Sequence, residues 1–414
     1  MMMKTTKAAR PGIVPLLGLL LAIPMAGRAG PAVEVLDTVT VHESHKYGYF
    51  PSLQMLSTGE LICDFSLDAD TDDVEGNFWG YVISKDGGRT WGMRNTGGML
   101  YREASYTRDP SLPDGSLEIV AGYPLPGPGD DYRNLQASSA RLSAGGNTIL
   151  LSRDVQIHLP QPAVRRKMDG TIHDSGTLGL GKIKEAALIL FSGTTSASRD
   201  GGWLTTMYGK LEGDEFFRTI VVKADRAGKN WQYLSTIAGD EEARAALARE
   251  GEKKAEGFGE PRMVRLPDGR LLVVMRRGSN NVMYKSWSED DGRTWSKPAS
   301  LGFHGVEPAL MVMKSGLLAF CTGRPEPVAV RFSADGGSTW STPTQVAKSD
   351  EVNIPDKPYA RQKSTCYTGM VEVEPGKLLI VYDHLPFVEG WGLNPDKAPT
   401  AVNSIYGTFL KVTR

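Results

Sequence analysis

Apolar and polar residues alternate over short runs along most of this chain, and each run ends in a turn that contains glycine. Trp79-Gly-Tyr-Val-Ile83, Leu271-Leu-Val-Val-Met275 and Val328-Ala-Val-Arg-Phe332 are typical. Such runs between turn residues predict β-strands joined as hairpins. The turns are of two recurring kinds. In one, a glycine leads into an apolar strand: Ser57-Thr-Gly-Glu-Leu61, Pro113-Asp-Gly-Ser-Leu117, Pro267-Asp-Gly-Arg-Leu271, Lys314-Ser-Gly-Leu-Leu318 and Glu374-Pro-Gly-Lys-Leu378. The other is an octet: Ser84-Lys-Asp-Gly-Gly-Arg-Thr-Trp91, Ser288-Glu-Asp-Asp-Gly-Arg-Thr-Trp295 and Ser333-Ala-Asp-Gly-Gly-Ser-Thr-Trp340. In the octet, Asp caps nearby backbone amides and Gly supplies positive φ, so its centre is a tight turn. The Trp brings a large apolar area to bury. These aspartates therefore read as turn-formers rather than catalysts.

Counting both signals, with degraded octets at Ser143-Ala-Gly-Gly-Asn-Thr-Ile149 and Lys223-Ala-Asp-Arg-Ala-Gly-Lys-Asn-Trp231, gives six units of about four strands each. A repeat of that size predicts an all-β, six-bladed β-propeller, with sheets arranged radially around a channel. The last unit has a turn glycine and no octet. Its strand-like end, Ser404-Ile-Tyr-Gly-Thr-Phe-Leu-Lys-Val412, is expected to pair near the start of the domain and close the ring. One stretch breaks the pattern: Gly239-Asp-Glu-Glu-Ala-Arg-Ala-Ala-Leu-Ala-Arg-Glu250 predicts a short surface helix.

The 414 residues carry a formal net charge of -1, so no basic footprint for nucleic acid is present. The 47 glycines suit a turn-rich β protein. At the N-terminus, Lys4, Lys7 and Arg10 precede the apolar run Ile13-Val-Pro-Leu-Leu-Gly-Leu-Leu-Leu-Ala-Ile-Pro-Met25 and the small residues of Ala26-Gly-Arg-Ala-Gly30. That order predicts a signal peptide over 1–30, a propeller over 31–414, and a secreted or periplasmic protein; an uncleaved anchor is the alternative. The apolar run is short for a membrane span, so no stable insertion is expected. Cys63, Cys321 and Cys366 allow one disulfide plus a thiol, or three buried thiols. The six histidines show no metal-ligand spacing, and no cofactor is expected.

The octets resemble the Asp-box of the sialidase superfamily, and the resemblance extends over essentially the whole domain. It implies a sialidase-like propeller, acting as a monomer on a glycan or polysaccharide. In Phe258-Gly-Glu-Pro-Arg, Glu260 matches the glutamate that polarises a catalytic tyrosine. Arg276, past the next turn glycine, matches an arginine that holds the substrate carboxylate, a task suited to its planar fork. Strand parity leaves its neighbour Arg277 as an alternative, and an ordinary ion pair between Glu260 and Arg276 is the bland one. Tyr367, in Ser364-Thr-Cys-Tyr-Thr-Gly369, matches the nucleophile, and its alternative is a core aromatic. In the acidic loop Asp68-Ala-Asp-Thr-Asp-Asp-Val-Glu-Gly76, Asp73 matches the acid/base; Asp72 or Asp70, a calcium site, or a solvated loop are the other readings.

The chain departs from that family where Arg-Ile-Pro is expected. Tyr47-Gly-Tyr-Phe-Pro51 keeps the proline but puts Tyr49 in place of the first of three arginines. Arg324 is the nearest match to the third, with Arg361 and Arg102 as spare cations. Glu307-Pro308 echoes Glu260-Pro261, which makes Glu307 a second inner carboxylate and allows a two-carboxylate glycosidase with Asp73. The reading that results is an exo-glycosidase that removes a terminal sugar, sialic acid among the options. Its rivals are a glycosidase or lyase on another polysaccharide, with Tyr49 as a stacking or hydroxyl contact, and a glycan- or protein-binding propeller without catalysis.

Overall fold

The computed structural model describes residues 30–44, 48–55, 59–66, 79–92, 196–210, 213–226, 230–251, 256–278, 282–325, 327–347, 364–385 and 402–413, and the backbone of the strands between 117 and 191. In chain order the first strands are β1 (Ala32–Ser44), β2 (Tyr49–Met55), β3 (Leu61–Ser66) and β4 (Trp79–Ser84). They are followed by β5 (Leu117–Ala121), β6 (Ala137–Ala144), β7 (Asn147–Ile149), β8 (Gln161–Arg166), β9 (Ile172–Gly179) and β10 (Leu190–Phe191). Next come β11 (Ser196–Ala197), β12 (Trp203–Gly209), β13 (Arg218–Ala224), β14 (Asn230–Ala238) and the helix α1 (Asp240–Glu250). Then come β15 (Gly259–Arg265), β16 (Leu271–Arg276), β17 (Val282–Ser288), β18 (Ala299–His304), β19 (Val306–Val312), β20 (Leu318–Gly323), β21 (Ala329–Ser333) and β22 (Thr344–Gln345). The last strands are β23 (Thr368–Glu374), β24 (Lys377–His384) and β25 (Asn403–Thr413).

These strands form an all-β propeller of five blades, not the expected six. Strands β2–β4, β15–β18 and β19–β22 each make one blade, and β23–β25 make another with β1. The second and third units do not separate. β8 pairs parallel with β5, and β9 pairs parallel with β14, so β5–β14 join in one ten-stranded sheet. The merging falls where the octet at 143–149 lacks both the Asp and the Trp of the full copies.

The expected closure is present. β1 runs antiparallel to β25, from Ala32 opposite Thr413 to Ser44 opposite Asn403. The core lies between blades rather than at the axis. Leu53, Cys63, Phe65, Leu379, Val381 and Phe409 join the first blade to the last. Other buried clusters join the last blade to β19–β22, that blade to β15–β18, and β15–β18 to the ten-stranded sheet and α1. Where β2 meets β23 the backbones nearly touch: a side chain on Gly369 would come within 2.3 Å of the Leu53 nitrogen. All three cysteines are buried free thiols. No helix among the described residues is long and apolar enough to cross a membrane.

Each octet closes as its sequence predicts. In the first, Ser84 Oγ donates to Asp86 Oδ1 at 2.7 Å and accepts from Gly88 N at 2.7 Å. Thr90 donates to Asp86 through both N–H, at 2.9 Å, and hydroxyl, at 2.6 Å. These bonds draw the Asp86 carboxyl down to about 2. The copies at 288–295 and 333–340 repeat the pattern. The octets also join blades. Asp291, at φ 65, stands where the other two octets carry Gly87 and Gly336, at φ 71 and 70. Its buried carboxylate accepts from Ser198 Oγ at 2.6 Å, from Arg199 N at 2.9 Å and from Arg265 Nη2 at 2.5 Å. On the next junction, Lys285 Nζ donates to the carbonyls of Gly337 and Ser338 at 2.5 and 2.9 Å.

Substituting Asp291→Gly removes the staple and relieves the positive φ, so any loss reports the bonds to its carboxylate. A decrease of about 1 kcal/mol in unfolding free energy is expected, because Ser198 Oγ and Arg199 N lose their acceptor while Arg265 keeps the carbonyls of Ala197 and Gly269. Urea unfolding of the two proteins side by side measures it.

Candidate active site

Three inner strands carry the same irregularity, and it builds the site. β2, β15 and β19 each break register with the following strand, between Tyr49 and Ser52, Gly259 and Arg262, and Val306 and Ala309. At each break a non-glycine residue takes positive φ: Phe50 at 56, Glu260 at 48 and Glu307 at 30. Each is followed by proline, which has no N–H to give to a ladder and so falls naturally where the ladder is interrupted. A bulge of this kind re-aims one side chain. Left-handed backbone at a non-glycine residue costs on the order of 1 kcal/mol, so surrounding contacts must hold it.

For Glu260 those contacts come from three blades. Its carboxylate is buried, at 2% exposure. Oε1 accepts the hydroxyl of Tyr367 from the last blade. Oε2 accepts the backbone N–H of Glu307 at 2.6 Å and lies 3.2 Å from Arg276 Nε. Arg276 also pairs with Glu256, Nη2 to Oε2, at 3.0 Å. Burial works against the charge on Arg276, yet Glu260, Tyr367, Tyr208 and Glu256 together hold it above its ordinary value. Gly257, beside Glu256, has φ 106, and its Cα packs so close to Phe217 that a Cβ would meet the Phe217 nitrogen at 2.3 Å.

Two phenols face this carboxylate, Tyr367 and Tyr208. Burial, reinforced by Glu260, pushes both hydroxyls well above the usual tyrosine range. Tyr367 is the one whose proton Glu260 accepts. Its approach is fixed by Asp383, a buried carboxylate at the end of β24. Asp383 accepts from Ser364 Oγ and Thr365 N, both at 2.7 Å, from the Thr365 hydroxyl, and from Phe50 N at 3.0 Å. One side chain thus sets both Tyr367 and Phe50, whose rings stack at 4.4 Å with a 36° tilt. Burial raises the Asp383 carboxyl, although these hydrogen bonds act in the opposite direction.

Glu260, Arg276, Tyr367 and Glu307 therefore form one cluster. Glu307 pairs with Arg262. Tyr49 and Arg324 lie a layer behind it. Tyr49 is 1% exposed and meets Phe50 edge-on at 4.4 Å. Arg324, also 1% exposed, donates from Nη2 to the Thr365 carbonyl at 2.6 Å. Arg277 points the other way and joins Tyr284 on Glu250, at the end of α1. Asp73, with the acidic loop around it, Arg102 and Arg361 lie outside the described residues. Phe50, Tyr208, Glu256, Arg262 and Asp383 escaped the sequence reading. Phe50-Pro51 repeats the Glu-Pro pairs at 260 and 307 and could have been found that way; the others carry no local signal.

A family model described as a BNR repeat-like domain matches residues 173–380, half of the chain. Among solved structures, a protein of unknown function from Dyadobacter fermentans is similar, at TM-score 0.54 and 16% identity over 92% of this chain and 99% of that one. The Hadza microbial sialidase Hz136 is similar at TM-score 0.53 and 16% identity, over 82% of this chain and 64% of that one. A Penicillium chrysogenum α-L-arabinanase, solved with arabinobiose, is similar at TM-score 0.51 and 14% identity, over 91% and 98%. At such identities the likeness is one of fold. Curated protein sequences return no match.

Burial and the nearby Glu260 push the Glu307 carboxyl up to about 7, against the pull of Arg262 and Arg276. Between the ordinary carboxylate range and that value the folded protein keeps a proton that the unfolded chain has lost. Stability should therefore fall as pH rises through this window, and Glu307→Gln should flatten the fall. Urea midpoints of both proteins at about pH 5 and about pH 8 test the difference.

Proposed function

The chain belongs to the BNR repeat-like domain family, and on that footing we propose that it is a glycoside hydrolase that removes a terminal sugar from a glycan or polysaccharide. The observation that carries the reading is the hydrogen bond from Tyr367 to Glu260, with Arg276 on the other carboxylate oxygen. A phenol held so far from ionisation needs a base within reach, and Glu260 is in contact with it. In the proposed reaction Tyr367 Oη attacks the anomeric carbon while its proton passes to Glu260. The bond to the leaving oxygen breaks, and Asp73 protonates that oxygen. Water then cleaves the tyrosyl glycoside, with Asp73 accepting its proton and Glu260 returning one to the phenol, so the sugar leaves with retained configuration. Arg276 Nε lies 3.2 Å from the other carboxylate oxygen of Glu260. A sialidase and an arabinanase among the similar folds support hydrolysis of glycosides as a class and leave the sugar open. Residues 1–30 are proposed to direct export, which would place the enzyme where polymeric glycans are met.

Tyr367→Phe and Glu260→Gln should each lower kcat by at least about 10³-fold with KM changed little, since both groups act on the reacting atoms. Steady-state kinetics on whichever aryl glycoside is cleaved provides the measurement, and a variant that retains more than about a tenth of the wild-type rate would remove that residue from the mechanism. Asp73→Ala should affect a glycoside with an alkyl leaving group far more than one with an acidic phenol, which needs little protonation to depart. Equal losses on the two substrates would take the acid/base role from Asp73.

A further inference from the structure

Among the described residues, the cations around Tyr367 are engaged by the protein itself. Arg276 lies between two carboxylates, with Glu260 at 3.2 Å and Glu256 at 3.0 Å. Arg262 is bound to Glu307. Arg324 is sealed from solvent and directed at the Thr365 carbonyl. Two guanidinium groups, Arg262 and Arg276, are thus paired with three carboxylates, Glu256, Glu260 and Glu307. A bound anion would have to displace Glu256 from Arg276 and then sit close to Glu260 in a poorly hydrated site, where like charges repel strongly. The inner position of the first blade presents an aromatic ring, Phe50, packed at a tilt against Tyr367. An aromatic wall with a few fixed polar groups suits an uncharged ligand, whose C–H face packs on the ring without needing a counter-charge.

Resting on the hydrolase reading above, we infer that the site around Tyr367 takes a neutral sugar, seated against Phe50, and rejects sialic and uronic acids. Glu256 is then a specificity-determining residue, because it occupies the face of Arg276 that an acidic sugar would use.

The test compares methylumbelliferyl glycosides of arabinose, galactose, glucose and xylose with those of sialic acid and glucuronic acid, on the full-length protein. We expect at least one neutral glycoside to be cleaved with kcat/KM about 100-fold or more above either acidic one. Glu256→Gln should shift that ratio about tenfold toward the acidic substrates by freeing one face of Arg276. Faster cleavage of an acidic glycoside by the wild type would overturn the inference and leave the hydrolase reading intact. If none of the six is cleaved, the hydrolase reading fails on this panel, and calorimetric titration with arabinobiose, galactobiose and sialyllactose decides the charge question alone. Saturable binding of a neutral disaccharide upholds the neutral-sugar site. Binding of sialyllactose alone, or of none of the three, overturns it.

Discussion

A carboxylate with 2% exposure must be matched on every side, and Glu260 is matched by groups from three blades. Tyr367 arrives from the last blade, the Glu307 amide from the next, and Arg276 from its own. None of these partners would be at hand unless the blades were packed at their native angles. The dependence also runs the other way: the bulge that aims Glu260 inward puts a non-glycine residue in left-handed backbone, and the bonds to its carboxylate offset that cost. The ring thus sets the site, and the site helps to hold the ring at its axis. Removing one partner leaves a buried charge uncompensated, which is why such clusters respond to mutation as units.

The outer rim uses the same principle with different chemistry. Each octet satisfies its own turn with Asp, Ser and Thr, and those at 288–295 and 333–340 offer carbonyls or a spare carboxylate to the adjacent blade. Asp291 reaches Ser198 and Arg199, while Lys285 reaches the octet of the following blade. The tryptophans finish the joint: Trp91, Trp295 and Trp340 each pack on a separate inter-blade core. Asp383 acts likewise near the axis, where one buried carboxylate ties the first blade to the approach of Tyr367. Polar junctions of this kind fix register as well as proximity, because their geometry tolerates little sliding.

How much of this was legible depended on whether the signal was local. Four turn glycines, the three full octets, the helix at 240–250 and the closing strand are written in consecutive residues and formed where expected, while Gly115 lies outside the described residues. Gly59, Gly269, Gly316 and Gly376 all take positive φ. The blade number was not local. It turned on which strand edges pair between residues 117 and 238, and there the octets were degraded. Glu260, Arg276 and Tyr367 could be matched by spacing and do converge. Tyr49 and Phe50 show the limit, because alternation assumes an unbroken strand and a bulge between Tyr49 and Ser52 changes which side chain faces inward. The partners Glu256, Arg262 and Tyr208 are set by contacts between blades, which no spacing within one blade encodes.

The pairing of β1 with β25 bears on how the ring comes into being. Thr38 and Thr408 share a hydrogen bond at 2.9 Å across 370 positions of chain. A polypeptide made or threaded from its first residue onward must hold β1 without a partner until β25 emerges. During that interval β1 is an open edge in search of a strand, and any neighbouring chain in the same state could supply one. Contacts this distant in sequence form late and slowly. Assembly would then hinge on β25, so that a chain lacking that strand would lose far more than one strand's share of order.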